Sequence, residues 1–90
     1  MAKYRKLPVI IEAMQIPRAG YEHRAEGAAL EAWLRDNKCE YSISPDAWVS
    51  IHTLEGTMRA AYPSWIIRGV RGEFYPCEDE IFRETYEKNE

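Results

Sequence analysis

The sequence predicts an α+β fold: an antiparallel β-meander with one main helix over residues 24–37 and a short C-terminal helix over residues 79–87, both packed on one face. Three observations carry this reading. From Tyr41 to Tyr75, short runs rich in β-branched and aromatic residues alternate with turns built on Pro and Gly. Arg24 to Asn37 is dense in Ala and Leu, and Leu30, Trp33 and Leu34 form one apolar stripe at helical spacing. Glu78, Asp79 and Glu80 crowd the start of a run in which Ile81, Phe82, Thr85 and Tyr86 share a helical face. Short sequential strands joined by tight turns become antiparallel neighbours, and helices cover the face that such a sheet leaves apolar.

Taken in order, Lys3, Arg5 and Lys6 make a basic, solvated start. Leu7 to Ile16 (LPVIIEAMQI) has strand length and is mostly apolar on both alternating sides, which predicts a central strand with covered faces. Pro17 ends it, and Arg18 to His23 is a polar loop. Within the main helix Glu31 and Arg35 form a favourable i,i+4 pair, and Asn37 suits the left-handed position at its end. Tyr41-Ser42-Ile43 is a short strand and Ser44-Pro45-Asp46 a turn. Trp48 to His52 alternates, with Val49 and Ile51 on one side. Thr53 to Gly56 is a hairpin loop, and Thr57 to Ala61 returns with Met58 and Ala60 inward. Tyr62-Pro63-Ser64 turns into a strand from Trp65 to Val70. Arg71-Gly72 is a tight turn, since glycine supplies the positive φ needed there. Glu73 to Tyr75 returns, and Pro76 has no N–H to donate, so the strand ends there or lies at a sheet edge. Asp79 is then the expected N-cap. The last helix is expected to dock on the hairpin through Phe82 and Tyr86, with Ile81 also buried.

Ninety residues form a single domain, residues 1–90, with a modest core. The net charge of −3 gives no ground for a nucleic-acid partner. No signal peptide and no membrane-length apolar run stand in the sequence, which predicts a cytoplasmic protein in which Cys39 and Cys77 stay free thiols. Neither cysteine has a histidine or further cysteine at metal-ligand spacing, so no metal or cofactor is expected.

The opening AKYRKLPVIIEAMQI, and the later TLEGTM, WIIRGVRGEFYPC and IFRETYE segments, resemble in order and spacing segments of a family of small uncharacterised phage and prophage proteins. The chain resembles that family over roughly half its length. It is similar in its core to proteins named for a Pro-Gly-Asp-Tyr-Gly string. It departs at that string, carrying Tyr62-Pro63-Ser64 before Trp65 where Pro-Gly-Asp tends to precede the aromatic. The resemblance implies a phage-borne product acting in the host cytoplasm, and it carries no catalytic residue over.

Four constellations invite a chemical reading. Glu12 lies inside an apolar strand, where a carboxylate needs a partner; Arg68, Arg59 or a lysine is expected to supply it. Cys77 and His52 are a nucleophile and a base without an evident third member. Glu55, Glu73, Asp79 and Glu80 are acids for which solvated or helix-start roles suffice, and Gly69 to Gly72 is a hairpin turn, not a phosphate loop. The strongest set is Trp48, Arg59, Tyr62, Trp65, Arg68, Arg71, Glu73 and Tyr75, aromatics and arginines on the meander that read as a binding surface. No catalytic set is assigned. The expected function is non-enzymatic binding to a host protein. The alternatives are a nucleotide-like small-ligand domain, requiring Glu12 or Glu73 in a concave pocket with an arginine, and a self-assembling structural protein. A homodimer across the aromatic face is a further expectation.

Overall fold

The computed structural model describes residues 1–89, apart from the side chain of Tyr21. In chain order its elements are β1 (Glu12–Gln15), a single 3-10 turn (Tyr21–His23), α1 (Arg24–Asp36), β2 (Tyr41–Ile43), β3 (Val49–Thr53), β4 (Gly56–Ala60), β5 (Trp65–Arg68), β6 (Phe74–Cys77) and α2 (Asp79–Thr85). The α+β class holds, with one main and one short C-terminal helix. The strands divide, however, into two three-stranded antiparallel sheets, ordered β1-β5-β6 and β2-β3-β4. Only the second is a meander; in the first, β1 pairs with β5 across most of the chain.

The two sheets share one core. Ile16, Leu30, Leu34, Val49, Ile51, Ala60, Ile66 and Phe74 pack together, with Trp33 set edge-on to Phe74 at 5.2 Å between ring centroids. α1 supplies Leu30 and Leu34, one turn apart on the predicted stripe. Adjacent strand residues point to opposite faces. Ile67, as buried as Ile66, therefore lies on the other side of its sheet, with Trp65. There α2 docks, with the Phe82 ring stacked on Trp65 at 4.0 Å and Tyr86 following at 5.2 Å from Phe82. The helices thus occupy opposite faces of the β1-β5-β6 sheet instead of sharing one. The cause is in β5, which is apolar on both sides and needs two covers.

Several local expectations are corrected. The first strand is an edge strand and begins at Glu12, not Leu7. Its partner β5 ends at Arg68, opposite Glu12, where the chain turns through Gly69–Gly72. Leu7 to Ile10 then has no strand beside it among the described residues and stays exposed. Val70 falls in that turn and is exposed. Pro76 does not end β6 but lies within it, at the sheet edge, the other of the two positions expected for it. Lys38, not Asn37, takes the left-handed conformation after α1 (φ 59), and the Cys39 N–H closes the helix on the Leu34 carbonyl at 2.9 Å. Glu78 precedes α2 as its cap residue, and Ile81 is half exposed.

Candidate functional site

The eight residues expected to form a binding surface fall in three places. Trp48, Arg59 and Tyr62 gather at one end of the β2-β3-β4 sheet. Trp65 and Tyr75 lie on the face under α2. Arg68, Arg71 and Glu73 surround the β5–β6 turn. The first group forms the candidate site.

Register builds it. Val49 pairs with Ala60 in the core, so Ser50 and its partner Arg59 face outward, and Trp48 precedes Val49 on that same outer side. The Arg59 guanidinium stands 5.2 Å from the Trp48 ring. Trp48 is fixed by the turn before it: its N–H donates to the Ser44 hydroxyl at 3.1 Å, and the Ser44 N–H donates to its carbonyl at 3.0 Å. The Ser44 hydroxyl also bonds to Asp46. Tyr62 sits on a tight turn with a cis Tyr62–Pro63 peptide, closed by the Ser64 N–H on the Ala61 carbonyl at 2.9 Å. The Gln15 side chain donates to the Pro63 carbonyl at 2.9 Å, tying this turn to β1. Across from it Arg18 lies 4.4 Å from the Tyr62 ring and donates to its hydroxyl at 3.2 Å.

Two shallow grooves of about 330 and 420 Å³ meet at Pro17, Arg18, His23 and Tyr62. The larger continues to Asp46 and Ala47, which precede Trp48 in sequence, and to Ala61, which follows β4; the Trp48 and Arg59 side chains do not line it. Trp48 and Tyr62 are each 40% exposed, while their guanidinium partners hold the rings in place. On the far wall His23 stands 3.2 Å from Glu26 and 3.8 Å from Glu22. The site therefore offers two flat apolar rings, two cations and a small acidic rim. It offers no nucleophile with a base. Arg18 and His23 were missed at the sequence level, where residues 18–23 read only as a polar loop. Arg18 and Tyr62 are 44 residues apart, and no local signal joins them.

The other two groups are structural. The Trp65 indole N–H donates to Asp79 at 2.8 Å and the Arg83 guanidinium to the same carboxylate at 2.9 Å, which anchors α2. These bonds hold the Asp79 carboxyl below its usual range. Burial, then the hydrogen bond with Tyr86, pushes the Tyr75 hydroxyl up to about 12. Arg68 pairs with Glu12 at 3.2 Å, one of the three kinds of partner expected for that carboxylate. Glu73 accepts the Arg71 N–H at 3.1 Å and stabilises the turn. Neither Glu12 nor Glu73 lines either groove.

His52 and Cys77 do not form a pair: His52 hydrogen-bonds Ser42 and Thr57 on the outer face of β3, and the Cys77 thiol meets the Glu78 carbonyl. Cys39 and Cys77 are free thiols, both raised above the ordinary thiol pKa chiefly by burial. Among the described residues no cluster of His, Cys, Asp and Glu could hold a metal ion, and no helix is long and apolar enough to cross a membrane. Comparison with protein-family models, with curated proteins and with solved structures finds no match.

Proposed function

We propose that this chain is a small phage- or prophage-borne accessory protein that acts in the host cell by binding a host protein, without catalysis of its own. The observation that carries the binding reading is the two arginine-stacked aromatic rings: Tyr62–Arg18, which lines both grooves, and Trp48–Arg59 at the same end of the β2-β3-β4 sheet. Trp, Tyr and Arg are the residues that dominate interface energies, because each presents a large, rigid surface with one polar handle. Rings held by their own arginines lose little freedom on binding, so more of the contact energy appears as affinity. The phage origin rests on the KYRKLPVIIEA opening and the WIIRGVRGEFYPC segment.

Photo-crosslinking tests the reading. A crosslinkable residue placed at Trp48 is expected to capture a discrete host protein, and the same residue at the exposed Val70 is not. Trp48→Ala and Tyr62→Ala are each expected to weaken that complex about tenfold or more, the loss of one interface hot spot. Equal capture from both positions would remove this surface as the binding site.

A further inference from the structure

The charges of this chain are segregated. Residues 1–11, MAKYRKLPVII, hold Lys3, Arg5 and Lys6 and none of the fifteen Asp and Glu; the other residues set nine Lys and Arg against all fifteen acids. The basic stretch is also apolar, with Met1, Tyr4, Leu7, Val9, Ile10 and Ile11 set among its cations. Nearly all of it faces solvent: Tyr4 is 94%, Leu7 77% and Ile10 76% exposed.

The stretch does not extend β1. The Lys6 ammonium lies 4.7 Å from the centre of the Tyr86 ring and donates to the Tyr86 hydroxyl at 3.4 Å, and its charge is felt by the Cys77 thiol in β6. The run before Glu12 is therefore folded back over the α2 side of the β1-β5-β6 sheet. Ile11 is half-buried where it leaves β1, while Leu7 and Ile10 stay bare. Among the described residues Lys3 and Arg5 have no ion-pair partner.

A nucleic-acid backbone would use these cations and leave the apolar side chains without a role. The two grooves of a second copy both carry Arg18, which opposes a basic stretch. An anionic bilayer uses both kinds of residue. Its headgroups attract Lys and Arg, Tyr rests at headgroup depth, and aliphatic side chains reach the acyl boundary. We propose that residues 1–11 are a peripheral anchor that lays the protein on an anionic lipid surface. Lys3 and Arg5 meet the headgroups, and Tyr4, Leu7 and Ile10 enter the interface. No helix among the described residues crosses a membrane, and lying on one needs no such helix. The stretch forms no helix or strand, so its backbone stays at headgroup depth, where water still reaches it. The acidic remainder of the chain is repelled by the same surface, which leaves contact to this stretch. An anchor with three cations is weak and reversible.

Cosedimentation tests the anchor. The full chain is expected to bind vesicles of phosphatidylcholine and phosphatidylglycerol in equal parts about tenfold or more tighter than vesicles of phosphatidylcholine alone, and added salt should shrink the difference. Lys3→Gln and Arg5→Gln are each expected to weaken binding about fivefold, the worth of one cation near an anionic surface. Leu7→Ser together with Ile10→Ser leaves the charge unchanged and is expected to weaken it about tenfold. All four positions lie outside every element, so the circular dichroism spectrum stays that of the wild type. In a Cys39→Ser, Cys77→Ser background, a polarity-sensitive dye on Ile10→Cys is expected to shift to the blue on the anionic vesicles. The same dye on Leu54→Cys, in the exposed β3–β4 turn, is not. Equal binding to both kinds of vesicle, wild-type binding by the Leu7→Ser, Ile10→Ser chain, or equal dye shifts at positions 10 and 54 overturns the proposal. So does equally tight binding to double-stranded DNA at the same salt, because charge alone would then account for the stretch.

Discussion

Gly69 has no space for a side chain. A Cβ added there would stand 1.7 Å from the Glu73 carboxylate, which must then swing away and release the Arg71 N–H it accepts at 3.1 Å. Gly69→Ala is therefore expected to cost about 1 kcal/mol in chemical denaturation, the worth of one hydrogen bond. In a Glu73→Ala background the same substitution should cost less, because the obstructing group and its bond are already gone. Equal costs in the two backgrounds would show that the carboxylate does not set the glycine requirement. The sequence marks Arg71-Gly72 as the turn and is right about Gly72, whose φ is 83. It gives no reason for Gly69, since that reason lies in a side chain four residues on. The cysteines yield a second prediction at this scale. Burial raises both thiols, so the thiolate fraction at neutral pH is smaller than in a free cysteine. Alkylation of Cys39 and Cys77 in the native protein is expected to be slower than that of a free thiol at the same pH, and to reach the free rate only on unfolding.

α2 is too short to be stable by propensity and has no fully buried residue. Its attachment rests on the Phe82–Trp65 stack and on Asp79, which gathers the Trp65 indole and Arg83. Docking through Phe82 and Tyr86 was legible from their spacing beside a hairpin. The role of Asp79 was not, because a helix-start acid looks the same whether it caps its own helix or reaches back to a tryptophan. Phe82 is only half-buried, so Phe82→Ala is expected to cost about 2 kcal/mol, less than the 3–5 of a core phenylalanine. Amide exchange in α2 should rise with it. The Asp79 carboxyl is held low in the folded state, first by Trp65 and then by Arg83. Its contribution is thus present above the unfolded carboxylate value of about 3.9 and lost as pH falls through the folded value. Acid should loosen α2 before the core. Asp79→Asn should weaken the helix at neutral pH, and the difference from wild type should vanish at strongly acidic pH. A difference that persists there would show that charge is not what holds the helix.

The molecule as a whole is two sheets around one core, and this division is the part the sequence conceals. Hairpins are written locally, in Thr53 to Gly56 and in Arg71-Gly72, so β3–β4 and β5–β6 were legible. The β1–β5 pairing joins Glu12 to Arg68 across 56 residues, and no turn signals it. An apolar run such as Leu7 to Ile16 then reads as a central strand, because periodicity reports which residues are apolar and not where a partner strand ends. The site is concealed for the same reason: Trp48, Arg59 and Tyr62 were found as residue types, but their arrangement depends on Arg18, brought beside Tyr62 by the tertiary fold. One core implies one cooperative unit. Leu34 is fully buried and packs with Ile51 of one sheet and Ile66 of the other. Leu34→Ala is expected to cost about 2–5 kcal/mol, a large part of the stability of a domain this size. Trp48 lies at the edge of the β2-β3-β4 sheet and Trp65 within β5, so chains that keep only Trp48 or only Trp65, with Trp33 also replaced by Phe, report the two sheets separately. Both reporters should show one denaturant midpoint, and Leu34→Ala should lower both by the same amount. A Trp48 transition that moves while the Trp65 transition stays would mean that Leu34 belongs to one sheet, and that the two sheets are separate units in contact.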